Sequence, residues 1–501
     1  MAPEHVDVLI VGAGLSGVGA ACHLRSACPE KSFAIVEARA ASGGTWDLFR
    51  YPGVRSDSDM FTLGYEFAPW REARAIADGP SILRYIRDTA REHGVDQMIR
   101  YNRRVVSASF NTSDASWAVE IEHTDSGERE QLSCSLLFAN TGYYRYDEGY
   151  TPKIPGQERF RGQIIHPQHW PEDLDYAGKR VVVIGSGATA VTLVPAMAER
   201  AAHVTMLQRS PSYVLSLPND DPVARLARRA LPSRASYALV RWKNVALATL
   251  LYEACRAAPR LMTRLLRGGV RKALPDGYDV DTHFKPTYEP WDQRLCLVPD
   301  GDLFEAISNG SASVETDKIE TFTERGLQLR SGRQLEADVV VTATGLNLLM
   351  LGGMAISVDD QRIDLSETVG YKAMMLSGVP NLVFTVGYTN ASWTLKADLV
   401  ANYVCRLLAY MDEHGYRVFT PLAPGPATRL GPLLDLKSGY VKRSLDELPK
   451  QGDRMPWRLH QNYPRDVRIM RYGPIQDDGI VFSGGPGQPD SEPQAPDLVA
   501  A

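Results

Sequence analysis

The sequence has few cysteines, and none of them stands close to another. Six occur among 501 residues. They are Cys22, Cys28, Cys134, Cys255, Cys296 and Cys405, and no CxxC pair is among them. Zinc ribbons and redox dithiols need such pairs, so both are disfavoured, and scattered cysteines are typical of a reducing compartment. We therefore expect a cytoplasmic protein without a metal centre.

Long apolar runs and a strong charge imbalance are also missing. No stretch reaches the roughly 18 apolar residues of a membrane-spanning helix. The N-terminal apolar residues follow no basic region and run into glycines, which predicts a strand rather than a signal peptide. The net charge of −5 gives no reason to expect nucleic-acid binding.

The length of the chain predicts more than one domain. A chain of 501 residues is too long for one ordinary core, which favours two or three domains. From residue 484 onwards Gly, Pro and acidic residues dominate, and this composition predicts a disordered tail over 484–501.

Residues 6–25 have the pattern of a buried strand, a glycine turn and a helix. Gly12, Gly14 and Gly17 form GxGxxG. The first glycine permits the turn, the second lets backbone approach a pyrophosphate, and the third lets the helix pack on the strand. The helix N-terminus would face the phosphates. A second strand follows and ends in Glu37, an acid placed to bind ribose hydroxyls.

Residues 180–198 repeat this pattern with Gly185, Gly187 and Ala190 in a GxGxxA motif. The partner strand ends in Gln208 and Arg209, with no acid. A carboxylate would repel a 2′-phosphate, whereas a guanidinium offers it paired donors. The first motif therefore fits FAD and the second fits NADPH; the alternative for Arg209 is a solvated loop arginine.

The two halves share a longer pattern, which predicts the architecture. Each continues to a β-hairpin and a buried strand that ends in a Thr-Gly turn, at 117–142 and 327–345. We expect an α/β fold with two Rossmann-like dinucleotide-binding domains, one inserted in the other, and a helical insertion. The expected parts are 1–145 and 376–483 for the FAD-binding domain, 146–220 and 291–375 for the NADPH-binding domain, and 221–290 for the helical insertion.

The helical insertion is basic. Arginines recur at helical spacing and are expected to share one face. They are Arg256, Arg260, Arg264, Arg267 and Arg271. A basic amphipathic helix can lie on anionic lipid, so residues 221–275 are a candidate for peripheral membrane contact. The simpler interpretation is a helical cap with a solvated basic face.

The segment FRGQIIHPQHWPED, residues 160–173, has three interpretations. His166 and His169 could bind a metal, His166 and Asp173 could be an acid–base pair, or the run could hold two parts of the chain in register. A metal site needs a third ligand and supporting hydrogen bonds, which the sequence does not offer.

Two dinucleotide motifs separated by FxGxxxHxxxWP resemble the type I Baeyer–Villiger monooxygenases. The residues that match the fingerprint are Phe160, Gly162, His166, Trp170 and Pro171. Residues 43–60, 289–299 and 388–399 look similar to the mycobacterial, thioamide-activating members of this family. The resemblance covers about residues 6–483. It implies that His166 and Trp170 fix the linker between the domains, and that His169 is a surface residue.

The resemblance also implies a reaction. An FAD- and NADPH-dependent enzyme would insert one oxygen from O2 next to a ketone carbonyl through a flavin peroxide, giving an ester or lactone. Thioethers or thioamides could be sulfoxidised by the same oxygen. The partners would be a small ketone or sulfur compound and O2, without nucleic acid. Substrate identity and oligomeric state do not follow from the sequence.

By the same resemblance, Arg294 would be the catalytic cation and Asp57 the acid that orients it, with Asp59 as the alternative carboxylate. The residues expected to contact FAD or the nicotinamide are Gly12, Gly14, Ser16, Gly17, Glu37, Gly44, Thr45, Trp46, Asp47, Leu48, Arg55, Asp57 and Val105. Those expected at the NADPH site are Gly185, Ser186, Gly187, Ala188, Thr189, Ala190, Gln208 and Arg209. Gln293 stands where many family members have lysine, which weakens the expected preference for NADPH.

Three rival functions stay open. The first is an N- or S-oxidising flavin monooxygenase without ketone activity. The presence of Trp170, Pro171 and Asp57 argues against it. The second is a disulfide reductase, which needs a dithiol that the sequence lacks. The third is a non-catalytic flavoprotein at a membrane surface.

Overall fold

The structure is a computed structural model that describes residues 3–72 and 74–484. Of the predicted tail at 484–501, only Gly484 lies within these residues. The described chain forms a domain with a mixed sheet, a domain with a parallel sheet and a group of helices, which confirms the predicted α/β fold.

The first domain is built on a nine-stranded sheet. In spatial order its main path is Gln361–Arg362, Ala355–Val358, Arg103–Asn111, Ser116–His123, Arg129–Ala139, Glu4–Val11, Phe33–Val36 and Ile99–Arg100, and Leu382–Phe384 pairs with Arg129–Ala139. Strand Glu4–Val11 is parallel to both of its neighbours and ends in four buried apolar residues, as expected for a strand covered on both faces. Its carboxyl end therefore lies at the centre of the domain, where ligands of such sheets bind.

The second domain is a parallel sheet of five strands. Their order is Ala312–Thr316, His203–Gln208, Arg180–Ile184, Val339–Thr342 and Gln163–Ile165. The predicted hairpins are confirmed: Ser116–His123 pairs with Arg129–Ala139 in the first domain, and Gly326–Leu329 with Gln334–Glu336 beside the second. The strands at 355–362 join the first sheet; the domain boundaries given above stay predictions.

The remaining strands form small sheets of two or three strands. Their pairs are Val214–Leu217 with Cys296–Pro299, Tyr144–Gly149 with Leu346–Leu348, Ile319–Thr323 with Gly326–Leu329, Gly370–Tyr371 with Met375–Leu376, Val418–Pro421 with Ile480–Ser483, and Gly431–Pro432 with Lys450–Gln451. The helices outside residues 222–273 are Leu15–Ala27, Thr45–Leu48, Met60–Leu63, Gly79–Glu92, Ala188–Ala198, Val280–His283, Asp302–Ser308, Trp393–His414, Gly439–Lys442 and Tyr463–Asp466.

Three long helices, Pro222–Ala230, Ser233–Ala257 and Pro259–Ala273, make up most of the predicted insertion, and we call them the three helices of the insertion. The expectation of one face with five arginines was wrong for Arg256, because the chain breaks at Ala258 and Pro259 starts a new helix. Within residues 3–72 and 74–484, no helix has both the length and the apolarity needed to cross a bilayer.

Candidate functional site

The first glycine turn brings two backbone segments unusually close together. Gly12 has φ +103°, and a Cβ there would lie 2.7 Å from the carbonyl oxygen of Asn140. A Cβ on Gly44 would lie 3.1 Å from the Cα of Gly14. Glycine is therefore required at Gly12, and the turn leaves room for a ligand to approach the backbone at the N-terminus of helix Leu15–Ala27.

A cavity of about 450 Å³ runs from this turn to Arg294. The predicted cofactor residues that line it are Gly12, Gly14, Ser16, Glu37, Gly44, Thr45, Trp46, Asp57 and Val105. A glycine-lined wall beside a helix N-terminus suits a pyrophosphate, so the residues present fit FAD.

Four predicted cofactor residues lie outside the cavity wall. Gly17 packs helix Leu15–Ala27 on the turn, since a Cβ there would lie 1.8 Å from the carbonyl oxygen of Gly12. Leu48 ends the short helix Thr45–Leu48. The Arg55 guanidinium forms an ion pair with Asp302.

Asp47, the fourth, is buried in a cluster of three arginines. Its carboxylate is 3% exposed and contacts Arg39 at 2.7 Å, Arg87 at 2.7 Å and Arg50 at 3.3 Å. A buried carboxylate needs such partners. Asp47 therefore fixes the turn that carries Thr45 and Trp46.

Glu37 is anchored to the glycine turn. Its carboxylate accepts hydrogen bonds from the backbone N–H of Ala13 at 2.7 Å and of Arg39 at 3.0 Å. Burial raises the pKa of Glu37, and these two donors oppose that shift. The carboxylate lines the cavity at the end of strand Phe33–Val36, where the sequence predicted a ribose ligand.

Arg294 and Asp57, which are 237 residues apart in the sequence, form an ion pair in the structure. The Arg294 Nε is 3.1 Å from one Asp57 oxygen, and one terminal nitrogen donates to the other oxygen at 3.3 Å. The Asp57 carboxylate raises the pKa of Arg294 above its ordinary value. Both side chains line the cavity. Asp59, the alternative, caps helix Met60–Leu63 and accepts a hydrogen bond from Asn244 instead.

Several aromatic residues of the cavity wall were missed from the sequence. Tyr143, Tyr144 and Tyr146 follow the Thr-Gly turn at the end of strand Arg129–Ala139. The Trp393 indole donates to the Ser16 hydroxyl at 2.7 Å and lies 5.1 Å from the Tyr143 ring. The signal was available for the tyrosines, because residues that follow the carboxyl ends of parallel strands line such sites.

The second glycine turn joins strand Arg180–Ile184 to helix Ala188–Ala198. A Cβ at Gly185 would lie 2.3 Å from the carbonyl oxygen of Ala343, so backbone approaches closely there. Gly187 and Ala188 are exposed, and Ser186 bonds to Ser210 and Ser212. Thr189 and Ala190 follow in the first turn of the helix. The helix N-terminus is thus open to a phosphate.

Gln208 and Arg209, which follow on the next strand, differ in accessibility. The Gln208 amide is buried and donates to the His283 carbonyl at 2.7 Å and to Thr316 at 2.9 Å. Arg209 is exposed, and its guanidinium has no acidic partner among residues 3–72 and 74–484. Arg209 is therefore the accessible residue of this pair.

The fingerprint segment connects the second sheet to the two strands at which the chain passes from one domain to the other, Tyr144–Gly149 and Leu346–Leu348. We call this strand pair the crossing. Gln163–Ile165 is an edge strand of the second sheet. A neutral His166 ring can donate from Nε2 to the Gly345 carbonyl at 3.1 Å while its Nδ1 accepts from the Gln168 N–H at 3.2 Å. Burial lowers the pKa of His166, which favours this neutral form. Both crossing strands, Tyr144–Gly149 and Leu346–Leu348, thus lie beside this histidine.

Gln168 was missed and is deeply buried, at 1% exposure. Its amide donates to the carbonyls of Arg145 at 2.8 Å and Tyr146 at 2.9 Å. Exposed His169 bonds to the Asp147 carbonyl. All three acceptors lie on strand Tyr144–Gly149, so the segment holds this strand by side chains and not by sheet pairing.

The other fingerprint residues pack locally. Phe160 contacts Phe322 with ring centroids 5.7 Å apart, and Trp170 contacts Tyr176 at 6.5 Å. A Cβ on Gly162 would lie 2.4 Å from the Asp338 carbonyl oxygen. Pro171 is exposed. Among residues 3–72 and 74–484, no three His, Cys, Asp or Glu side chains are grouped to hold a metal.

His166→Ala is expected to slow turnover roughly tenfold while FAD content stays near that of the wild type. The variant loses two hydrogen bonds at the crossing, each worth about 1 kcal/mol, and rearrangement of domains gates many enzymes. Steady-state rates and flavin absorbance measure both quantities. His169→Ala, which removes one exposed contact, is the matched control. Activity that returns with zinc, or a metal lost together with His166, would contradict the linker role.

The fold and the two glycine turns define an enzyme with two dinucleotide sites. Residues 10–71 match the NAD(P)-binding Rossmann-like domain family, and residues 74–233 match the flavin-binding monooxygenase-like family. The chain is 56% identical over 484 residues to the FAD-containing monooxygenase EthA of Mycobacterium tuberculosis, covering 96% of this chain and 99% of that protein. EthA of Mycolicibacterium smegmatis is 53% identical over 481 residues, with 96% and 97% covered.

A solved structure of similar fold is that of oxidized steroid monooxygenase bound to NADP. It superposes with a TM-score of 0.75 at 22% identity, covering 96% of this chain and 100% of that chain. The chain belongs to the FAD-containing monooxygenases, and it is an FAD- and NADPH-dependent flavoprotein monooxygenase of the Baeyer–Villiger and flavin monooxygenase class. The resemblance inferred from the motifs is confirmed.

Proposed function

We propose that the protein inserts one oxygen atom of O2 next to the carbonyl of a ketone and forms an ester or lactone. One NADPH, one proton and O2 are consumed, and NADP+ and water are released with the product. The observation that carries the proposal is the Arg294–Asp57 pair, placed on the wall of the cavity that begins at the glycine turn.

FAD, when bound and reduced by NADPH, supplies the activated oxygen. Arg294 contributes a positive charge that faces the cavity, where the carbonyl oxygen becomes an oxyanion when the carbonyl is attacked. Asp57 accepts one hydrogen bond from a terminal nitrogen of Arg294 and lies 3.1 Å from its Nε, and this ion pair fixes the direction of the free donors of Arg294. Burial keeps the pKa of Tyr143 well above its ordinary value, so its hydroxyl stays a neutral donor.

The apolar residues that pack beside Tyr143 contribute the exclusion of water. Leu349, Leu351 and Met354 line the cavity, and Leu351 and Met354 are buried. An apolar wall strengthens the interaction between Arg294 and an oxyanion, because the local dielectric constant is lower than that of water.

The test uses the purified holo-protein with NADPH, O2 and a long-chain methyl ketone. Ester detected by mass spectrometry, with NADPH consumed in equal amount, supports the proposal. A matched thioether is assayed beside it, since the same oxygen can be transferred to soft sulfur. Sulfoxide without any ester across a ketone series would favour the alternative, an N- or S-oxidising monooxygenase without ketone activity.

Arg209→Ala is expected to raise the KM for NADPH by roughly tenfold or more and to leave the KM for NADH nearly unchanged. Hydrogen bonds to a charged group contribute about 1.5–3 kcal/mol each, and NADH has no 2′-phosphate to receive them. Steady-state kinetics with both nucleotides measure this ratio. An equal rise for both would remove Arg209 from 2′-phosphate recognition. Gln293 offers no charge of its own, so Arg209 is the main determinant we expect.

We propose that the partners are a small ketone or sulfur compound and O2, without nucleic acid. The location we propose is the cytoplasm, with peripheral membrane contact through residues 221–275.

A further inference from the structure

The helical insertion exposes many large apolar side chains. Fifteen such residues are exposed within residues 3–72 and 74–484, and nine of them lie in the three helices of the insertion or the short link at Leu231. They are Val223, Leu226, Leu231, Leu239, Trp242, Leu247, Leu250, Leu261 and Leu265. Scattered single apolar residues are ordinary on a protein surface, whereas a concentration in one element marks an interaction site.

Four of these residues form a stripe along helix Ser233–Ala257. Leu239, Trp242, Leu247 and Leu250 recur at spacings that return to one side of a helix, and they are 50%, 45%, 57% and 65% exposed. We call these four residues the apolar stripe. The opposite side of the helix is already occupied. Within the stripe, Trp242 also contacts Tyr463, with ring centroids 5.7 Å apart, so the three leucines are the residues that the helix does not need to stay in place.

The occupied side contacts the segment that follows Asp57. The buried Arg241 guanidinium donates to the carbonyls of Phe61 at 2.8 Å and Gly64 at 2.7 Å. Asn244 donates to Asp59 at 2.8 Å. Changes to the apolar stripe leave these contacts intact, which makes surface binding separable from the chemistry of the cavity.

The charge of the insertion is strongly positive although the protein is acidic overall. Residues 221–273 contain twelve Lys and Arg against the two acids Asp221 and Glu253, in a chain of net charge −5. Arg267 and Arg271 pair with Asp281, and Arg256 lies 3.4 Å from Asp292. Arg260 and Arg264 are exposed and have no acidic partner in the described part of the chain.

Helix Pro259–Ala273 places cations beside exposed leucines. Leu261 and Leu265 are 51% and 58% exposed, and each directly follows one of the arginines Arg260 and Arg264. Apolar residues next to cations on a helix are what a surface of anionic lipid binds, with leucines at the acyl boundary and arginines at the headgroups. A second copy of this face would be repelled by its like charge.

We propose that the exposed side of the insertion, with the apolar stripe and with Arg260 and Arg264, docks onto an anionic lipid surface. The proposal names the face and the lipid charge of the membrane contact proposed above, and it does not depend on ketone oxidation. Helix Ser233–Ala257 would lie in the plane of the interface, with Trp242 at headgroup depth.

Flotation of the FAD-loaded protein with vesicles tests this. Vesicles of phosphatidylglycerol and phosphatidylcholine are compared with phosphatidylcholine alone. We expect binding to the anionic vesicles at low salt, and this binding should weaken as the salt concentration rises.

Three variants change the docking face. The double variant Leu247→Ser with Leu250→Ser should lower the affinity for anionic vesicles roughly tenfold. Arg260→Gln and Arg264→Gln should each lower it about fivefold. Val481→Ser, at a 47% exposed position of strand Ile480–Ser483, is the control.

Brominated lipids test whether Trp242 enters the headgroup region of the bilayer. Quenching of tryptophan fluorescence should fall in Trp242→Phe, because Trp242 is the tryptophan of the stripe. NADPH oxidation without vesicles, measured for every variant, separates loss of docking from loss of the enzyme. Absence of binding to anionic vesicles, or binding that the leucine pair does not change, overturns the proposal. So does sedimentation that shows the stripe holding two protein copies together without lipid.

Discussion

Arg294→Ala is expected to abolish ester formation while NADPH still reduces the flavin. Loss of one donor to a developing oxyanion typically costs roughly 10²–10³ in rate, and this change removes the whole cation. Hydride transfer creates no oxyanion, so it does not need the charge. NADPH and O2 should then be consumed with release of hydrogen peroxide. Product analysis, a peroxide assay and anaerobic flavin spectra measure the three outcomes separately.

Two further variants sharpen this result. Arg294→Lys keeps the charge but loses the planar fork that meets both Asp57 oxygens, so little activity should return if geometry matters. Arg161→Ala is the matched control, because Arg161 is 77% exposed and pairs with Glu324 at 2.8 Å on the surface. An exposed pair of this kind contributes little to stability, so activity should persist.

Ester made by Arg294→Ala at a rate near that of the wild type would remove Arg294 from the mechanism. Another cavity-lining cation would then have to stabilise the oxyanion, and Arg39 would be the first to examine. Loss of FAD from the variant would instead mean that the arginine supports the cofactor. The flavin absorbance of the desalted protein distinguishes the two cases.

The glycine turns and the fold could be predicted because their determinants are local. Gly12, Gly14 and Gly17 lie within six residues of one another, and the turn they form depends mainly on backbone sterics. The flanking strand reads as an uninterrupted apolar run because it is buried on both faces. Local patterns of this kind survive in almost any tertiary context.

The pairing of Arg294 with Asp57 could not be derived from spacing, because 237 residues separate them. It was expected only through the family resemblance. The same limit explains Asp47 and Arg55, whose ionic partners depend on where distant helices pack. Gln168 escaped notice because an amide carries no charge or motif. Its importance lies in burial, which sequence alone does not fix.

The helical insertion shows a third limit. Helical spacing predicted a single basic face, but the phase of a helix is lost when the chain breaks, as it does at Ala258. The exposed stripe was also hidden, since Leu239, Trp242, Leu247 and Leu250 are residues that sequence patterns assign to a core. Their exposure became apparent only from the packing of the opposite side of the helix.

Gly17→Ala is expected to produce a protein that retains little or no FAD and unfolds at lower temperature. The added Cβ would lie 1.8 Å from the Gly12 carbonyl oxygen. The Cβ position is fixed by the backbone of residue 17, and the oxygen belongs to the backbone of Gly12. No side-chain rotation relieves the overlap, so helix Leu15–Ala27 must move away from the turn. Overpacking costs about 1–3 kcal/mol, and this site should be at the upper end. The shift also misplaces the helix N-terminus that would face the pyrophosphate.

Gly269→Ala provides the matched control for this change. Gly269 lies in helix Pro259–Ala273, and a Cβ there would meet nothing within 4 Å. The same substitution should therefore stabilise the protein by up to about 1 kcal/mol through helix propensity, with FAD unaffected. Fluorescence of the flavin released on desalting and thermal unfolding measure both variants. If Gly17→Ala kept its flavin and its Tm matched that of Gly269→Ala, the close packing at the turn would not be what holds the cofactor.

The second glycine motif has Ala190 at the position equivalent to Gly17, and this alanine is fully buried. The penalty at Gly17 therefore comes from the approach of the Gly12 carbonyl in this turn, and not from the motif as such.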